Sequence, residues 1–322
     1  MRGHRCPALV SAAVIVLCLV PQVGAQAAEG SPACDRACLY SFVDRYLAAL
    51  ESHDPAALPA SPTLRYTENG TETKLGDGLW QTVTGHTSYQ ARAADMTAEQ
   101  VAVIGEFKEG DKTFSFATRL KIEKNAITEA ETVIGRTFAP KHPSMPAEIR
   151  PGLKTIVPKD ERISREEMVA TANRNFDNLL KNDGSHFAPD CQRIENRMPM
   201  SGNPQLNYPI TPIPGKPVPA FGSMGCQEQV EAHLFDTLDS VEPRRIMVVD
   251  EEQQVVFGIF SLRFYARTAC NDIPGYGRTC PARKTDPMSL LSGEMLGVRG
   301  GKVHEVQVVF TRMPYDASQG WQ

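Results

Sequence analysis

Beyond its N-terminus the 322-residue chain lacks any long apolar run, any surplus of basic charge, and any compact motif that marks a common enzyme class. No later segment reaches the ~20 consecutive apolar residues of a spanning helix, so no membrane partner is expected. The 34 Lys and Arg are scattered among 38 Asp and Glu, for a net charge of −4. Without a basic stripe to neutralise phosphates, nucleic acid is not an expected partner either. There is no serine-hydrolase elbow, phosphate loop, zinc helix or dinucleotide fingerprint in a strand–helix setting. No His stands at ligand spacing from a Cys pair, which argues against the rival reading of the cysteines as a metal site. Neither a metal nor an organic cofactor is expected.

What the N-terminus holds is an export pattern. Arg2 and Arg5 precede an uncharged apolar run over residues 8–20, Pro21 breaks it, and Ala25-Gln26-Ala27 supplies a small-x-small site. That run of 13 residues is too short to span a bilayer, so residues 1–27 read as a signal peptide and the protein as secreted or periplasmic. Cys6 and Cys18 leave with it. Cys34, Cys38, Cys191, Cys226, Cys270 and Cys280 remain, an even number suited to disulfides in an oxidising compartment. Short spacing favours local closure of Cys34–Cys38 and Cys270–Cys280.

The rest reads as one plan written twice. Residues 34–51 form an amphipathic helix on Leu39, Phe42, Val43, Tyr46, Leu47 and Leu50; residues 164–181 repeat it with Met168, Ala172, Phe176, Leu179 and Leu180. Ser164 and Glu167 make a capping box. Each helix is followed by a similar phrase, Leu64-Arg65-Tyr66-Thr67-Glu68-Asn69-Gly70 and Cys191-Gln192-Arg193-Ile194-Glu195-Asn196-Arg197. A glycine then precedes a second helix, Gly85 in the first half and Gly225 in the second. Strands close each half, at about 99–109, 112–123 and 126–138 and at about 242–250, 253–267 and 302–312. Ile127-Thr128-Glu129-Ala130-Glu131 matches Val303-His304-Glu305-Val306-Gln307. The expected organisation is a first domain over 34–138, a proline-rich linker over 139–162 and a second domain over 163–316. A further tract, 198–224, carries seven prolines and reads as a stiff surface insertion, with a lid over a pocket as the alternative.

A leading amphipathic helix, an Asp or Asn-Gly strand, a glycine-started helix and a meander ending in a Glu-bearing strand resemble the nuclear transport factor 2-like fold, whose relatives include SnoaL-like cyclases, ketosteroid isomerases and scytalone dehydratases. Cys34-Asp35-Arg36-Ala37-Cys38-Leu39, Gly76-Asp77-Gly78-Leu79-Trp80 and Cys191-Gln192-Arg193-Ile194-Glu195-Asn196 resemble more narrowly a secreted, functionally undescribed branch of that superfamily. The resemblance implies an α+β protein of two tandem cones, each a bent antiparallel sheet wrapped around helices. It also implies a Cys191–Cys226 bridge, because those positions neighbour one another in the fold. The Tyr-and-two-Asp pattern of ketosteroid isomerases and the paired histidines of scytalone dehydratases are absent, so neither activity carries over.

Candidate chemistry therefore rests on polar strand residues, and the second cone is expected to hold any pocket. Arg193 and Glu195 project from one strand face, as a base with its stabilising cation or as a structural ion pair. His304 shares a face with Val306, Val308 and Phe310, as a proton donor opposite Glu195 or as a packed histidine. Arg245 and Arg263, on adjacent strands, and Asn196 complete the ligand-binding candidates. Trp80, Tyr66 and Tyr89 suit an aromatic floor or ordinary core, and His186, after a turn, is expected to be exposed. Asn69-Gly70-Thr71 matches a glycosylation sequon. The expected function is binding of a small, partly apolar organic ligand, with cofactor-free lyase or isomerase chemistry as its catalytic form. The alternative is a scaffold in which the two sheets pack as an internal pseudo-dimer through Thr128, Ala130, Thr132 and Ile134, or assemble as a homo-oligomer.

Overall fold

Residue spacing sets the first element of each half. In the computed structural model, helix α1 (Arg36–Glu51) is capped by the Asp35 carboxylate, which accepts from the Cys38 N–H. Helix α3 (Arg165–Leu179) is capped by the Ser164 hydroxyl accepting from the Glu167 N–H. The structure describes residues 34–136, 148–206, 212–218, 220–265, 270–280 and 286–321, all within one unit, Ala33–Gln322. The expected signal peptide lies outside the described residues, as does the first part of the expected linker, 139–147.

After α1 come β1 (Ala60–Glu68), β2 (Thr71–Glu72), the short helix α2 (Leu79–Thr82), β3 (Gly85–Asp95), β4 (Gln100–Glu109), β5 (Lys112–Glu123) and β6 (Ala126–Gly135). After α3 come β7 (Phe187–Glu195), β8 (Met198–Pro199), α4 (Cys226–Glu231), β9 (Leu238–Asp250), β10 (Val255–Phe264), the small hairpin β11 (Asn271–Ile273) and β12 (Gly277–Thr279), β13 (Met288–Arg299) and β14 (Lys302–Met313). The two large sheets have the same order, β2-β1-β6-β5-β4-β3 and β8-β7-β14-β13-β10-β9. In each, the first long strand runs parallel to the last (β1 with β6, β7 with β14) and the other ladders are antiparallel. This is the α+β architecture of two tandem cones.

Two strands contradict the sequence reading. Residues 85–95 form β3, not a glycine-started helix, and 288–299 form β13, where no strand was expected. Ala91 and Ala93 of β3 and Leu291 and Met295 of β13 lie on faces that meet the other sheet. Tyr89, Ala91, Ala93, Ala102, Ile104, Ala117 and Val133 of the first half form one core with Ile194, Val248, Val255, Phe257, Ile259, Leu291, Met295 and Val309 of the second. Gly293 sits where a Cβ would lie 2.6 Å from the Ala117 Cβ, so the sheets approach too closely there for any side chain.

The pseudo-dimer is thus internal, but it uses the face opposite to the expected one. Ala130 and Ile134 belong to the first cone's own core and Thr132 bonds within it, while Glu131 and Val133 face the partner sheet. Polar contacts repeat across the junction. Arg36 at the start of α1 pairs with Asp250 at the end of β9, and Arg165 at the start of α3 pairs with Asp95 at the end of β3. The C-terminal segment returns to the first half, where the Trp321 indole N–H donates to the Thr67 hydroxyl at 2.8 Å and its ring lies against the Arg65 guanidinium.

The structure pairs Cys34 with Cys38, Cys191 with Cys226 and Cys270 with Cys280. The second bridge ties β7 to the first residue of α4 over a sequence separation of 35. A closed loop of that length restricts the unfolded chain by about 4 kcal/mol. The Cys191→Ala/Cys226→Ala double variant should therefore unfold in urea with a stability lower by about that amount. A loss below about 1 kcal/mol would mean that the bridge adds little beyond the packing around it. No helix among the described residues is long and apolar enough to cross a membrane, and three disulfides suit an oxidising environment.

Candidate functional site

The ladders align the two halves residue by residue. Glu68 and Thr118 both lie opposite Thr132 on neighbouring strands, and Glu195 and Glu294 both lie opposite Val308. Tyr66 and Arg193, Glu68 and Glu195, Thr118 and Glu294, and Phe116 and Ser292 are therefore counterparts. The same registers match Phe107 to Leu262, and counting from the helix caps matches Tyr46 to Asn175.

These pairs explain why the cones differ inside. In the first, Tyr46, Tyr66, Trp80, Phe107 and Phe116 are each at most 2% exposed. Phe107 stacks on Phe116 at 3.7 Å between centroids, and Tyr46 meets Trp80 edge-on at 6.0 Å. In the second, Leu262 and Ser292 stand where the stacked phenylalanines stood and Asn175 replaces Tyr46. A cavity of about 70 Å³ lies beneath α3, bounded by Phe176, Leu179, Phe235, Val306, Val308 and Phe310 with other apolar groups. Asn175, Arg193, Glu195, Ser292 and Glu294 are its polar lining.

Glu294 is 5% exposed and accepts from the Ser292 hydroxyl at 2.7 Å. Burial pushes its carboxyl up to about 7; the Ser292 bond opposes the shift, the Glu195 carboxylate adds to it and Arg193 works against it. Glu195, two strands away in the same rung, pairs with Arg193 Nε at 3.1 Å and keeps its side chain one-fifth exposed. Arg193 is held in turn, since Nη2 donates to Gln229 Oε1 at 2.9 Å and the guanidinium lies over the Phe235 ring. Gln229, fully buried on α4, donates to the carbonyls of Met200 and Phe221. The Cys191–Cys226 bridge fixes α4, and so Gln229, against the strand that carries Arg193.

The structure brings Arg193 and Glu195 together in the cavity and separates the other expected residues from it. His304 sits in a β-bulge: Val303 pairs with Val298 and Glu305 with Gly297, leaving His304 without a partner across the ladder. Its imidazole turns outward to Asp190 at 2.7 Å and does not face Glu195. Arg245 points to the sheet–sheet face and binds Glu131 of the first half. Arg263 does not line the cavity either, because the cone-facing residues of β10 are its neighbours Leu262 and Phe264. Asn196, 2% exposed, bonds both backbone groups of Phe310 and closes the end of the parallel ladder; Asn69 makes the matching bond to Ile134. His186 is 3% exposed, against expectation. Tyr66 and Trp80 are core, whereas Tyr89 reaches across the junction to Gln307 at 3.0 Å.

Glu294, Ser292, Asn175 and Gln229 were missed. For Glu294 a signal existed: it is the one charged residue in Pro287-Met288-Ser289-Leu290-Leu291-Ser292-Gly293-Glu294-Met295-Leu296-Gly297-Val298. An acid alone in such a run belongs to a buried strand and needs a reason to be there.

One family model matches residues 33–134 and 161–310, the two segments that hold the two large sheets. The chain belongs to that family, described as Domain of unknown function (DUF8021). No curated protein matches this DUF8021 chain. Among solved structures, AusH from Aspergillus nidulans is similar over 32% of this chain and 86% of its own, at 13% identity and a TM-score of 0.28. An NTF2-like protein of unknown function from Cytophaga hutchinsonii covers 30% and 88%, at 12% identity and a TM-score of 0.23. A protein with a ketosteroid isomerase-like fold from Catenulispora acidiphila, solved with trimethylamine, covers 28% and 82%, at 13% identity and a TM-score of 0.23. Within the DUF8021 chain the two matched segments carry two sheets of the same strand order.

Proposed function

We propose that the second cone binds a small, partly apolar organic molecule carrying a carbonyl group, and that it performs acid–base chemistry on it without a cofactor. One observation carries the reading: a carboxyl with its pKa at about 7 lines an apolar cavity in one cone, while its counterpart in the other is a threonine inside a packed core. A neutral Glu294 donates a hydrogen bond to the ligand oxygen. Glu195, held by Arg193, takes a proton from the carbon beside the carbonyl, and the enol formed is reprotonated elsewhere or expels a leaving group. Glu294 thus takes the donor role first expected of His304. The first domain, with its cone filled, serves as the fixed half of the internal pseudo-dimer and supports the sheet that carries the site. The three disulfides and the N-terminal pattern favour an exported protein, secreted or periplasmic.

Refilling the cavity tests this. Benzaldehyde, cyclohexanone and related small carbonyl compounds should raise the melting temperature of the wild-type protein. A binder at a hundred times its dissociation constant adds about 2.7 kcal/mol. Ser292→Phe, which restores the residue of the first cone, should abolish the response, and Leu262→Phe serves if the first variant does not fold. An equal response in wild type and refilled variants would place binding elsewhere and sink the reading.

A further inference from the structure

His186 and Asn175 make a pair that the proposed chemistry does not use. Both are buried, at 3% and 2% exposure, and Asn175 lines the second cavity from α3. The imidazole Nδ1 lies 3.1 Å from the backbone carbonyl oxygen of Asp183. The other nitrogen, Nε2, lies 3.0 Å from the Asn175 amide, at the position assigned to Oδ1.

Hydrogen-bond accounting decides how that amide is turned. A backbone carbonyl only accepts, so Nδ1 must carry a proton to bond Asp183. An imidazolium could donate on both sides, but it would be a charge inside the core; burial holds the His186 pKa down at about 4, with the Asp183 carbonyl and carboxylate opposing and Arg174 and Lys302 adding. The ring is therefore neutral, with a bare lone pair on Nε2. Two facing lone pairs repel, so the amide must present its NH2 to Nε2, which a half-turn of the Asn175 side chain achieves. Its oxygen then takes the other position. The amide atom at that position has no hydrogen-bond partner among the described residues, and it is not sealed off as the truly enclosed unpaired atoms are. Asn175 itself lines the cavity.

We infer that His186 locks Asn175 with its carbonyl oxygen facing the second cone, so that the site selects ligands carrying a hydroxyl or N–H donor in addition to the oxygen that meets Glu294. This rests on the binding reading above and narrows it to hydroxy-carbonyl compounds and their nitrogen analogues. Asn175 is then a specificity-determining residue and His186 a positioning residue acting through it. The first cone shows the contrast, since the counterpart Tyr46 turns its hydroxyl to Thr132 and fills the space.

The test compares benzaldehyde with 3- and 4-hydroxybenzaldehyde by titration calorimetry or ligand-observed NMR. A buried acceptor discriminates for a donor by a factor of about ten or more. The wild-type protein should prefer one hydroxy isomer over benzaldehyde by at least about tenfold. Asn175→Leu should bring that ratio near one while benzaldehyde still binds, and His186→Phe should lower it by freeing the amide. Nitrogen-15 correlation spectra, with the His186 signal assigned by its loss in His186→Phe, should show Nε2 unprotonated and Nδ1 protonated at pH 7. An Nε2–H tautomer would overturn the inference, as would a hydroxyl preference unchanged in Asn175→Leu. Equal binding of all three probes overturns the amide orientation and leaves the pocket standing; no binding of any probe removes both.

Discussion

Glu294→Gln should separate binding from chemistry and also change how stability depends on pH. The amide keeps the shape and can still donate to a ligand oxygen, but it has no proton to transfer. Ligand affinity should change little, while turnover of an accepted substrate falls by about 10²–10⁴-fold. The stability effect follows from burial. The folded-state carboxyl is raised from its ordinary 4.5 to about 7, so the folded protein holds this proton more tightly than the unfolded chain. That stability is fully present below pH 4.5 and is lost as pH rises through 7, in an amount of about 3 kcal/mol. Urea melts of the wild type should show this decline, and Glu294→Gln should lack it, making the variant the more stable protein at pH 8. Parallel pH profiles in the two proteins would mean that the Glu294 carboxyl is solvated. The assignment of Glu294 as donor would then fail, whatever the cavity binds.

The fold was legible because its evidence is redundant. The helices at 36–51 and 165–179 repeat their apolar spacing, and the Tyr66–Asn69 and Arg193–Asn196 phrases fall at identical register positions in their sheets. The Asn of each phrase stands out for a physical reason: it takes a left-handed backbone and bonds the neighbouring strand. The face used for association was not legible. Alternation along β6 and β14 defines two faces but not which one turns inward, and a bulge at Thr128 and at His304 reverses the parity partway along. His304 was misplaced for that reason alone. Strand β3 escaped notice because its apolar content is carried largely by alanine, and β13 because serines and glycines interrupt its Leu and Met and break the alternation.

The site was half legible. Arg193 and Glu195 declared themselves by spacing, but their partners came from elements with no visible claim on the cone: Gln229 from a six-residue helix, Glu294 from an unrecognised strand, and Asn175 from a helix face that reads as amphipathic whatever occupies that position. Comparison of the halves supplies what either lacks alone. Where the first half has Tyr46, Phe107, Phe116 and Thr118, the second has Asn175, Leu262, Ser292 and Glu294. These four replacements remove three aromatic rings and add a buried carboxyl, while Phe176, Phe260 and Phe310 stand where the first half has Leu47, Gly105 and Ile134. Bulk is thus redistributed, and what sets the second cone apart is polar groups, Glu294 above all, facing a space between apolar walls.

The other large effect is expected at the junction. Asp250 is fully buried, accepts two bonds from the Arg36 guanidinium at 2.6 and 2.7 Å, and also accepts from the Ala94 N–H at 2.8 Å and the Gln253 N–H at 2.9 Å. Asp95 is its mirror: 1% exposed, bound by Arg165 and accepting from the Val249 N–H at 2.9 Å. Truncating Asp250 to Ala strands the buried Ala94 and Gln253 N–H donors and leaves Glu252 as the remaining carboxylate partner of Arg36, a loss of about 3 kcal/mol in urea unfolding. Asp95→Ala should cost a similar amount. The double variant should cost less than the two together. Each carboxylate holds the backbone beside the other, Asp250 through Ala94 and Asp95 through Val249, so the first truncation already loosens what the second would release. Additive losses would mean that the two pairs act as independent clamps. A loss below about 1 kcal/mol for Asp250→Ala would mean that the apolar sheet-to-sheet contact alone holds the halves together, and that the paired charges only set their register.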